Sequence, residues 1–366
     1  MATFTSSTTI RKRVLLLAAT TFLALCVSSC NNQETSTATR TAYVTVPEKG
    51  ILGYRLDFNG KFTSILGSPF IAGVSPTSVQ VLPGNNFLYV ANQSDNTISL
   101  FSIDQTSGQL TEVLPRTDTG VAPVFMRLNA TSSLLFVVNQ ISSSISVFSI
   151  DASTGKLTPV AGSPFAVAAN PVELAINPTG NLLYVVNPNL SSVYGYSISS
   201  AGALQPVPGN PYIVDTDPQG IAIDPAGKFV FVTNTASNTV SAFTIGTGGA
   251  LGTVALSPFT TGTDPNAIIV YPTGQYLYVV NQQPGSISGY TIGPEGVLTA
   301  ISGSPFGGSA GSVFINFDPT QQILYVGNQS TNNIIEYTVD TSTGALSTGN
   351  NSISTSAAPS SLAITQ

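Results

Sequence analysis

The sequence predicts an all-β protein, a seven-bladed β-propeller with four antiparallel strands in each blade. Three observations predict it. A strand that ends in Tyr/Phe-Val-x-Asn recurs with steps of 46 to 48 residues between its aromatic positions. A glycine recurs at the same spacing, in a turn after the third strand of each unit. No apolar spacing of three and four persists long enough for a helix beyond the N-terminal leader. The aromatic positions are Tyr43, Tyr89, Phe136, Tyr184, Phe231, Tyr278 and Tyr325, and the glycines are Gly60, Gly108, Gly155, Gly202, Gly249, Gly296 and Gly344. The first copy, Tyr43-Val44-Thr45-Val46, is degenerate and lacks the asparagine.

The unit that begins at Asn170 shows how the four strands of a blade are recognised. It contains a short apolar run, a second apolar run, an alternating run and a final short run, each closed by Gly, Pro, Asn or Ser. Runs of this length and punctuation are strand and hairpin signals. The four runs are residues 171–176, 182–186, 192–198 and 203–207.

The innermost strands are displaced by one unit relative to the other three. The chain enters the repeat on a second strand, residues 42–46, and ends on a lone innermost strand, residues 361–365. Two isolated strands would leave two unpaired edges, which proteins avoid. We therefore expect the C-terminal innermost strand to complete the first blade and close the ring.

A second repeated phrase follows the fourth strand in most units. Its aromatic residue is expected to pack beneath the connection to the next blade, because every blade must seal the same gap. A row of such aromatics could instead form a carbohydrate platform. The copies are Gly67-Ser68-Pro69-Phe70, Gly162-Ser163-Pro164-Phe165, Gly209-Asn210-Pro211-Tyr212, Leu256-Ser257-Pro258-Phe259 and Gly303-Ser304-Pro305-Phe306.

The first thirty residues have the pattern of an export signal. The basic stretch Arg11-Lys12-Arg13 precedes an apolar run, residues 14–27, that is too short to span a bilayer. The run ends in Val27-Ser28-Ser29-Cys30, which resembles a bacterial lipobox. That resemblance implies cleavage before Cys30 and lipid attachment to it, whereas an ordinary signal peptide cut nearby is the alternative. We predict a lipoprotein signal peptide at 1–29, a lipidated Cys30 with a flexible tether at 30–41, and the propeller at 42–366.

Composition limits the partners of the mature chain. Loss of the three leader cations changes the formal charge from −6 to −9, and only 8% of all residues are charged. An acidic surface without a basic cluster argues against nucleic acid and against electrostatic binding to anionic lipid. The predicted membrane contact is the lipid on Cys30 alone, at the bacterial cell envelope. Cys26 leaves with the leader, so no disulfide can form.

The strand Leu-Tyr-Val-x-Asn, with Pro-x-Gly shortly upstream, resembles YVTN-type repeats and the related lactonase-family propellers, which include 6-phosphogluconolactonase-like members. The upstream turns that carry the resemblance are Pro178-Thr179-Gly180, Pro225-Ala226-Gly227 and Pro272-Thr273-Gly274. The resemblance covers about residues 42 to 366 and implies lactone hydrolysis. Enzymatic members typically place His beside the Pro that opens the innermost strand, with Arg and Glu nearby. This chain contains no His, which excludes a Ser-His-Asp triad and any His-ligated metal.

Two charged residues break the pattern of the innermost strands, which face the central channel of this architecture. Glu173 stands where other copies have Ser, Phe, Gly or Ala, and Arg127 stands where others have Gln, Ala, Ile or Asn. Because they belong to adjacent blades, they are candidate catalytic residues. A purely structural ion pair between blades is the alternative.

Polar residues near the prolines that open these strands are candidates for a ligand-binding channel mouth. They are Asp217, Gln219, Asp264 and Asn266. The two aspartates could instead hydrogen-bond their own turns. A calcium site from Asp217, Asp264, Asn266 and Glu173 would need only oxygen ligands, but no loop has a calcium-binding spacing. We predict no metal and no cofactor.

The sequence favours a cell-envelope lipoprotein whose propeller is a ligand-binding or protein-interaction module for a carbohydrate, a small metabolite or an envelope protein. The alternative is a lactone hydrolase of the 6-phosphogluconolactonase-like family, with Arg127 stabilising an oxyanion and Glu173 acting as base.

Overall fold

The computed structural model describes residues 40–57 and 60–365. Within them the chain forms seven antiparallel sheets of four strand positions each, and the predicted seven-bladed propeller is confirmed. Two short 3₁₀ turns, Pro188–Leu190 and Thr247–Gly249, are the helical segments of this described part. No helix among these residues has the length and apolar character needed to cross a membrane.

The blades follow one another along the chain. Blade 1 begins with β1 (Arg40–Val46), β2 (Gly50–Leu56) and β3 (Phe62–Ser64). Blade 2 contains β4 (Pro76–Val81), β5 (Phe87–Asn92), β6 (Thr97–Ile103) and β7 (Leu110–Asp118). Blade 3 contains β8 (Pro123–Leu128), β9 (Leu134–Asn139), β10 (Ser144–Ile150), β11 (Leu157–Pro159) and β12 (Phe165–Ala166). Blade 4 contains β13 (Leu174–Ile176), β14 (Leu182–Asn187), β15 (Ser192–Ile198), β16 (Leu204–Pro206) and β17 (Tyr212–Ile213).

The remaining three blades have the same order. Blade 5 contains β18 (Pro218–Ile223), β19 (Phe229–Asn234), β20 (Thr239–Ile245), β21 (Leu251–Thr253) and β22 (Phe259–Thr260). Blade 6 contains β23 (Thr263–Val270), β24 (Tyr276–Gln283), β25 (Ser286–Ile292), β26 (Leu298–Ala300) and β27 (Phe306–Gly307). Blade 7 contains β28 (Ser312–Phe317), β29 (Ile323–Asn328), β30 (Asn333–Val339) and β31 (Leu346–Ser354). The last strand, β32 (Ser361–Ile364), returns to blade 1.

The ring closes as predicted, because β32 pairs with β1 and becomes the innermost strand of blade 1. Ala42 lies opposite Ile364, and Thr45 lies opposite Ser361. The first strand begins at Arg40, so Arg40 and Thr41 belong to the ring and not to the tether. Arg40 also forms an ion pair with Asp318, in the turn after the innermost strand of blade 7.

The repeated Ser-Pro-Phe phrase interrupts the fourth strand in five blades. In each, the side chain before the proline accepts a hydrogen bond from a backbone N–H of the third strand. Ser163 Oγ accepts from Val147 at 2.9 Å, and Ser304 Oγ accepts from Gly289 at 2.9 Å. The aromatic residue packs against the core between blades, as in the case of Phe165 and Phe306. The packing role expected from the spacing therefore accounts for this phrase.

The core lies between the blades. The described residues form seven hydrophobic clusters, and each joins two neighbouring blades. The repeated aromatic residue contributes to every cluster, and in four blades its hydroxyl reaches the carbonyl of the repeated glycine in the next blade. These bonds, 2.7 to 2.8 Å long, join Tyr43 to Gly108, Tyr89 to Gly155, Tyr184 to Gly249 and Tyr278 to Gly344.

The repeated asparagine at the end of the second strand is also structural. Asn139 is fully buried, and its Nδ2 donates hydrogen bonds to Ser144 at 3.3 Å and Ser146 at 2.9 Å on the third strand. Asn92, Asn234 and Asn281 make equivalent bonds to their third strands. The asparagine of the repeated motif therefore joins the second and third strands within a blade and has a structural role.

Candidate functional site

A cavity of about 500 Å³ occupies the centre of the ring. Residues from the innermost strand of every blade line it. Its lining continues along these strands to Ala130 and Pro178, in the turns that follow the innermost strands of blades 3 and 4. A volume of this size is in the range of small-molecule sites.

Strand register explains why Arg127 and Glu173 both reach this cavity. Arg127 lies opposite Phe136, and Ala175 lies opposite Tyr184, so Arg127 and Ala175 occupy the same level of the ring. Glu173 precedes Ala175 by two residues and therefore faces the same side of its strand. Its carbonyl accepts a hydrogen bond from the Val186 N–H at 2.9 Å, which extends the pairing of blade 4 to this residue.

The Arg127 guanidinium faces the water-accessible cavity deep inside the ring. Its Cζ lies 5.3 Å from the centre of the Phe125 ring, within the range of a cation–π contact. Desolvation lowers the pKa of Arg127, and the nearby carboxylate of Glu173 opposes that change. The guanidinium remains a cation at any physiological pH, because an arginine pKa begins above 12.

The environment of the cavity raises the pKa of the Glu173 carboxyl. Burial raises its pKa from 4.5 to about 7, while the Arg127 charge and the Ile221 N–H partly counteract that rise. Desolvation disfavours the charged form of a carboxyl group and is the dominant cause. A carboxyl group with a pKa near neutrality can both accept and return a proton.

The two charges share the cavity without forming a salt bridge. Among the described residues, salt bridges join Arg40 to Asp318 and Arg116 to Asp95 and Glu112. Arg127 and Glu173 do not form one, so the structural ion pair considered from the sequence is not present. A cation and a carboxyl that interact at longer range can contact two parts of one ligand.

The four candidate mouth residues do not line the cavity. They lie at the proline ends of β18 and β23. Gln219 Nε2 donates to Asp217 Oδ1 at 2.8 Å, and the backbone N–H of Asp264 donates to Asn238 Oδ1 at 2.8 Å. The Asn266 carbonyl accepts a hydrogen bond from Thr233 Oγ1 at 2.6 Å.

Backbone geometry gives the two aspartates a local role. Asp217 and Asp264 have φ values of 59° and 55°, the left-handed conformation that Asp tolerates better than most residues. Each precedes the proline that opens an innermost strand. Asp217 contacts Gln219 and Thr235, and Asp264 contacts Asn238, so the described contacts of both aspartates lie outside the cavity.

Two amide side chains of the cavity were not selected from the sequence. Gln80 and Asn316 occupy the same level as Arg127, opposite Tyr89 and Tyr325. Asn316 Nδ2 donates to the Leu362 carbonyl at 3.1 Å, whereas Gln80 is half-buried at the cavity wall. Their shared position with Arg127 in the repeat was the signal available in the sequence.

No group of three or more His, Cys, Asp or Glu residues within 40–57 and 60–365 could hold a metal ion. The predicted lipidation site, Cys30, lies outside the described residues.

The sequence matches the family described as "Lactonase, 7-bladed beta-propeller" over residues 55–172, 161–258 and 250–361. These overlapping segments cover nearly the whole ring. The chain belongs to this lactonase family. The resemblance noted from the strand and turn motifs is therefore confirmed, and no curated protein matches the chain significantly.

Several solved structures have the same fold at about 20% sequence identity to this chain. A candidate 6-phosphogluconolactonase from Bacteroides uniformis has a TM-score of 0.77 and 20% identity, covering 89% of this chain and 99% of its own. A second, from Bacteroides fragilis, has a TM-score of 0.77 and 21% identity, covering 91% and 99%. The periplasmic gluconolactonase PpgL of Pseudomonas aeruginosa has a TM-score of 0.75 and 19% identity, covering 90% and 99%. Similarity at this level concerns the fold alone.

Proposed function

We propose that this protein hydrolyses a lactone in the central cavity, with Arg127 and Glu173 as catalytic residues. The observation that carries the proposal is their arrangement. A permanent cation and a carboxyl with a raised pKa face one small-molecule cavity without neutralising each other in a salt bridge. Membership of the lactonase family supports the same reaction class.

The chemistry follows from the two groups. The Glu173 carboxylate takes a proton from water as the water oxygen attacks the lactone carbonyl carbon. The Arg127 guanidinium stabilises the negative charge that develops on the carbonyl oxygen, where a preorganised cation is most effective. The bond between the carbonyl carbon and the ring oxygen then breaks, and Glu173 returns the proton to that oxygen. The product is an open-chain hydroxy acid.

The raised pKa of Glu173 provides a general base in a chain that has no His. A general base works best when its pKa is close to the working pH. Burial in the ring moves the Glu173 pKa to about 7, the range in which an imidazole would act. A carboxyl with an ordinary pKa would be a weaker base for the same step.

The test is hydrolysis of simple lactones by the soluble ring, followed as acid release. We expect turnover by the natural chain and at least a hundredfold loss in both Arg127→Ala and Glu173→Gln, in line with the contributions of such groups. Asp95→Asn serves as a control, because Asp95 is a charged residue outside the cavity. Equal activity in all four proteins would refute the proposed roles.

A ligand-binding module is the second candidate function. The amides of Gln80 and Asn316 share the cavity with the charged pair, and such groups recognise polar ligands without reacting with them. Saturable binding of a lactone or of its hydroxy acid without turnover would favour this function over hydrolysis.

We also propose that the protein is exported to the bacterial cell envelope and anchored by a lipid on Cys30. The basic stretch, the short apolar run and the small residues before Cys30 support this location. Incorporation of labelled palmitate into the full chain, and its loss in Cys30→Ser, is the expected result. Labelling that persists in Cys30→Ser would contradict it.

A further inference from the structure

The cavity is asymmetric in polarity. Blades 5 and 6 contribute only apolar side chains to its wall, with Ala222, Ala267 and Ile269 facing the cavity. Gly220 precedes them on blade 5, and a Cβ added there would lie 2.3 Å from the Asn266 carbonyl oxygen, so no larger residue fits. We call this side of the cavity, which is lined by hydrocarbon side chains, the apolar wall.

Polar groups are concentrated on the opposite side. Ser78 and Gln80 of blade 2, Ser361 of blade 1 and Asn316 of blade 7 line the cavity there. Blades 3 and 4 contribute Arg127 and Glu173, which separate the polar side from the apolar wall along one direction around the ring. A ligand that spans the cavity therefore meets a charged pair and amides at one end and hydrocarbon at the other.

The charge inventory of the cavity restricts ligands further. Arg127 is its only cationic side chain and Glu173 its only acidic one among the described residues. A phosphate or carboxylate on the ligand would compete for Arg127 and leave the developing oxyanion without a cation. Binding a second anion near ionised Glu173 is also unfavourable, because like charges repel each other.

We infer that the substrate is an uncharged lactone with an apolar substituent. The lactone ring lies between Arg127 and Glu173, and the substituent lies along the apolar wall of Ala222, Ala267 and Ile269. This inference rests on the proposed lactone hydrolysis and specifies its substrate class. It excludes phosphorylated sugar lactones, and it requires no reactant other than water.

The test compares lactones that differ in one feature at a time. δ-Valerolactone has no substituent, δ-decalactone carries a five-carbon chain, and glucono-δ-lactone and its 6-phosphate carry hydroxyl groups without and with a charge. Each buried methylene is expected to raise kcat/KM by about two- to fourfold. We therefore expect δ-decalactone to exceed δ-valerolactone by at least about 30-fold, and the phosphorylated sugar lactone to be the poorest substrate.

A pair of variants locates the preference. Ala222→Gln places an amide on the apolar wall and is expected to reduce the ratio of kcat/KM for δ-decalactone over δ-valerolactone by about tenfold. Ala236→Gln makes the same substitution in an exposed turn of the same blade, outside the cavity, and is expected to leave the ratio unchanged. An unchanged ratio in Ala222→Gln overturns the position of the substituent.

Binding of non-hydrolysable δ-lactams, measured by calorimetry, separates this inference from the proposed function. Tighter binding of a pentyl-substituted lactam than of the unsubstituted one, without turnover of any lactone, would support the ligand class and refute hydrolysis. Turnover with a preference for sugar lactones would support hydrolysis and overturn the ligand class. The absence of both turnover and chain-length-dependent binding would overturn the proposed hydrolysis and the inferred ligand class together.

Discussion

Replacing Glu173 by Gln is expected to stabilise the folded ring above pH 7 while it removes activity. The ionised carboxylate of Glu173 is disfavoured by burial, and that burial is the main cause of its raised pKa. Glutamine keeps nearly the same shape and volume but never ionises. The variant therefore removes an electrostatic cost that the natural chain carries at its candidate catalytic site.

The magnitude follows from the pKa. The unfolded chain ionises Glu173 near pH 4.5, whereas the folded chain holds the proton until about pH 7. Between these values the folded state binds more protons, so the free energy of unfolding falls as pH rises. The difference between the two pKa values corresponds to about 3 kcal/mol of stability, which is retained below pH 4.5 and fully lost above pH 7.

Urea denaturation between pH 4.5 and 8 measures this difference, with tyrosine fluorescence as the signal because the chain has 13 Tyr and no Trp. The stability of Glu173→Gln relative to the natural chain should rise by about 3 kcal/mol across the range. Glu295→Gln, in an exposed turn, is the matched control and should show no such rise. A Glu173→Gln variant that is no more stable at pH 8 than at pH 4.5, relative to the natural chain, would refute the burial argument.

Three further predictions concern the site and the ring. The kcat/KM for lactone hydrolysis, corrected for the spontaneous reaction, should rise with pH and level off above an inflection near 7, because Glu173 must be deprotonated to act as base. A flat pH profile would contradict that role. Tyr184→Phe should lower the free energy of unfolding by about 1 to 2 kcal/mol, because it leaves the Gly249 carbonyl without its buried donor. Tyr325→Phe should lower it by less than about 0.5 kcal/mol, because the buried Tyr325 hydroxyl has no hydrogen-bond partner. Equal urea midpoints for the two variants would argue against this difference. Asp318→Ala should lower the free energy of unfolding by about 1 kcal/mol more than Asp224→Ala. Both aspartates cap equivalent turns, but only Asp318 also pairs with Arg40 across the ring closure. Equal losses of stability would show that the ion pair contributes nothing.

The fold could be predicted in detail because every blade must satisfy the same local requirements. The repeated aromatic residue fills each inter-blade core, the repeated asparagine binds the third strand, and the repeated glycine forms the turn whose carbonyl the neighbouring tyrosine reaches. The aromatic residue and the glycine recur seven times and the asparagine six times, so spacing alone reveals them. The start of the first strand at Arg40 was missed because the ion pair that holds Arg40 involves Asp318, 278 residues later in the chain.

The site could be predicted only in part. Alignment of the innermost strands identified Arg127 and Glu173, because a charge is unusual at positions that face the channel. The same alignment could not show that Asp217 and Gln219 bond to each other at the proline end. It also could not show that burial changes the ionisation of Glu173, since this effect depends on the depth of the carboxyl in the assembled ring.

The pairing of β32 with β1 has a consequence for the order in which the chain can fold. Blade 1 receives its innermost strand only from residues 361–364, which are synthesised after all the other strands of the ring. Until then, β1 exposes the edge that β32 will cover, and the hydrophobic cluster between blades 1 and 7 lacks Leu362. Synthesis of the first six complete repeats therefore cannot produce a finished ring. Truncation before residue 361 would leave the edge of β1 unpaired, and such a chain would be prone to aggregate with its own copies.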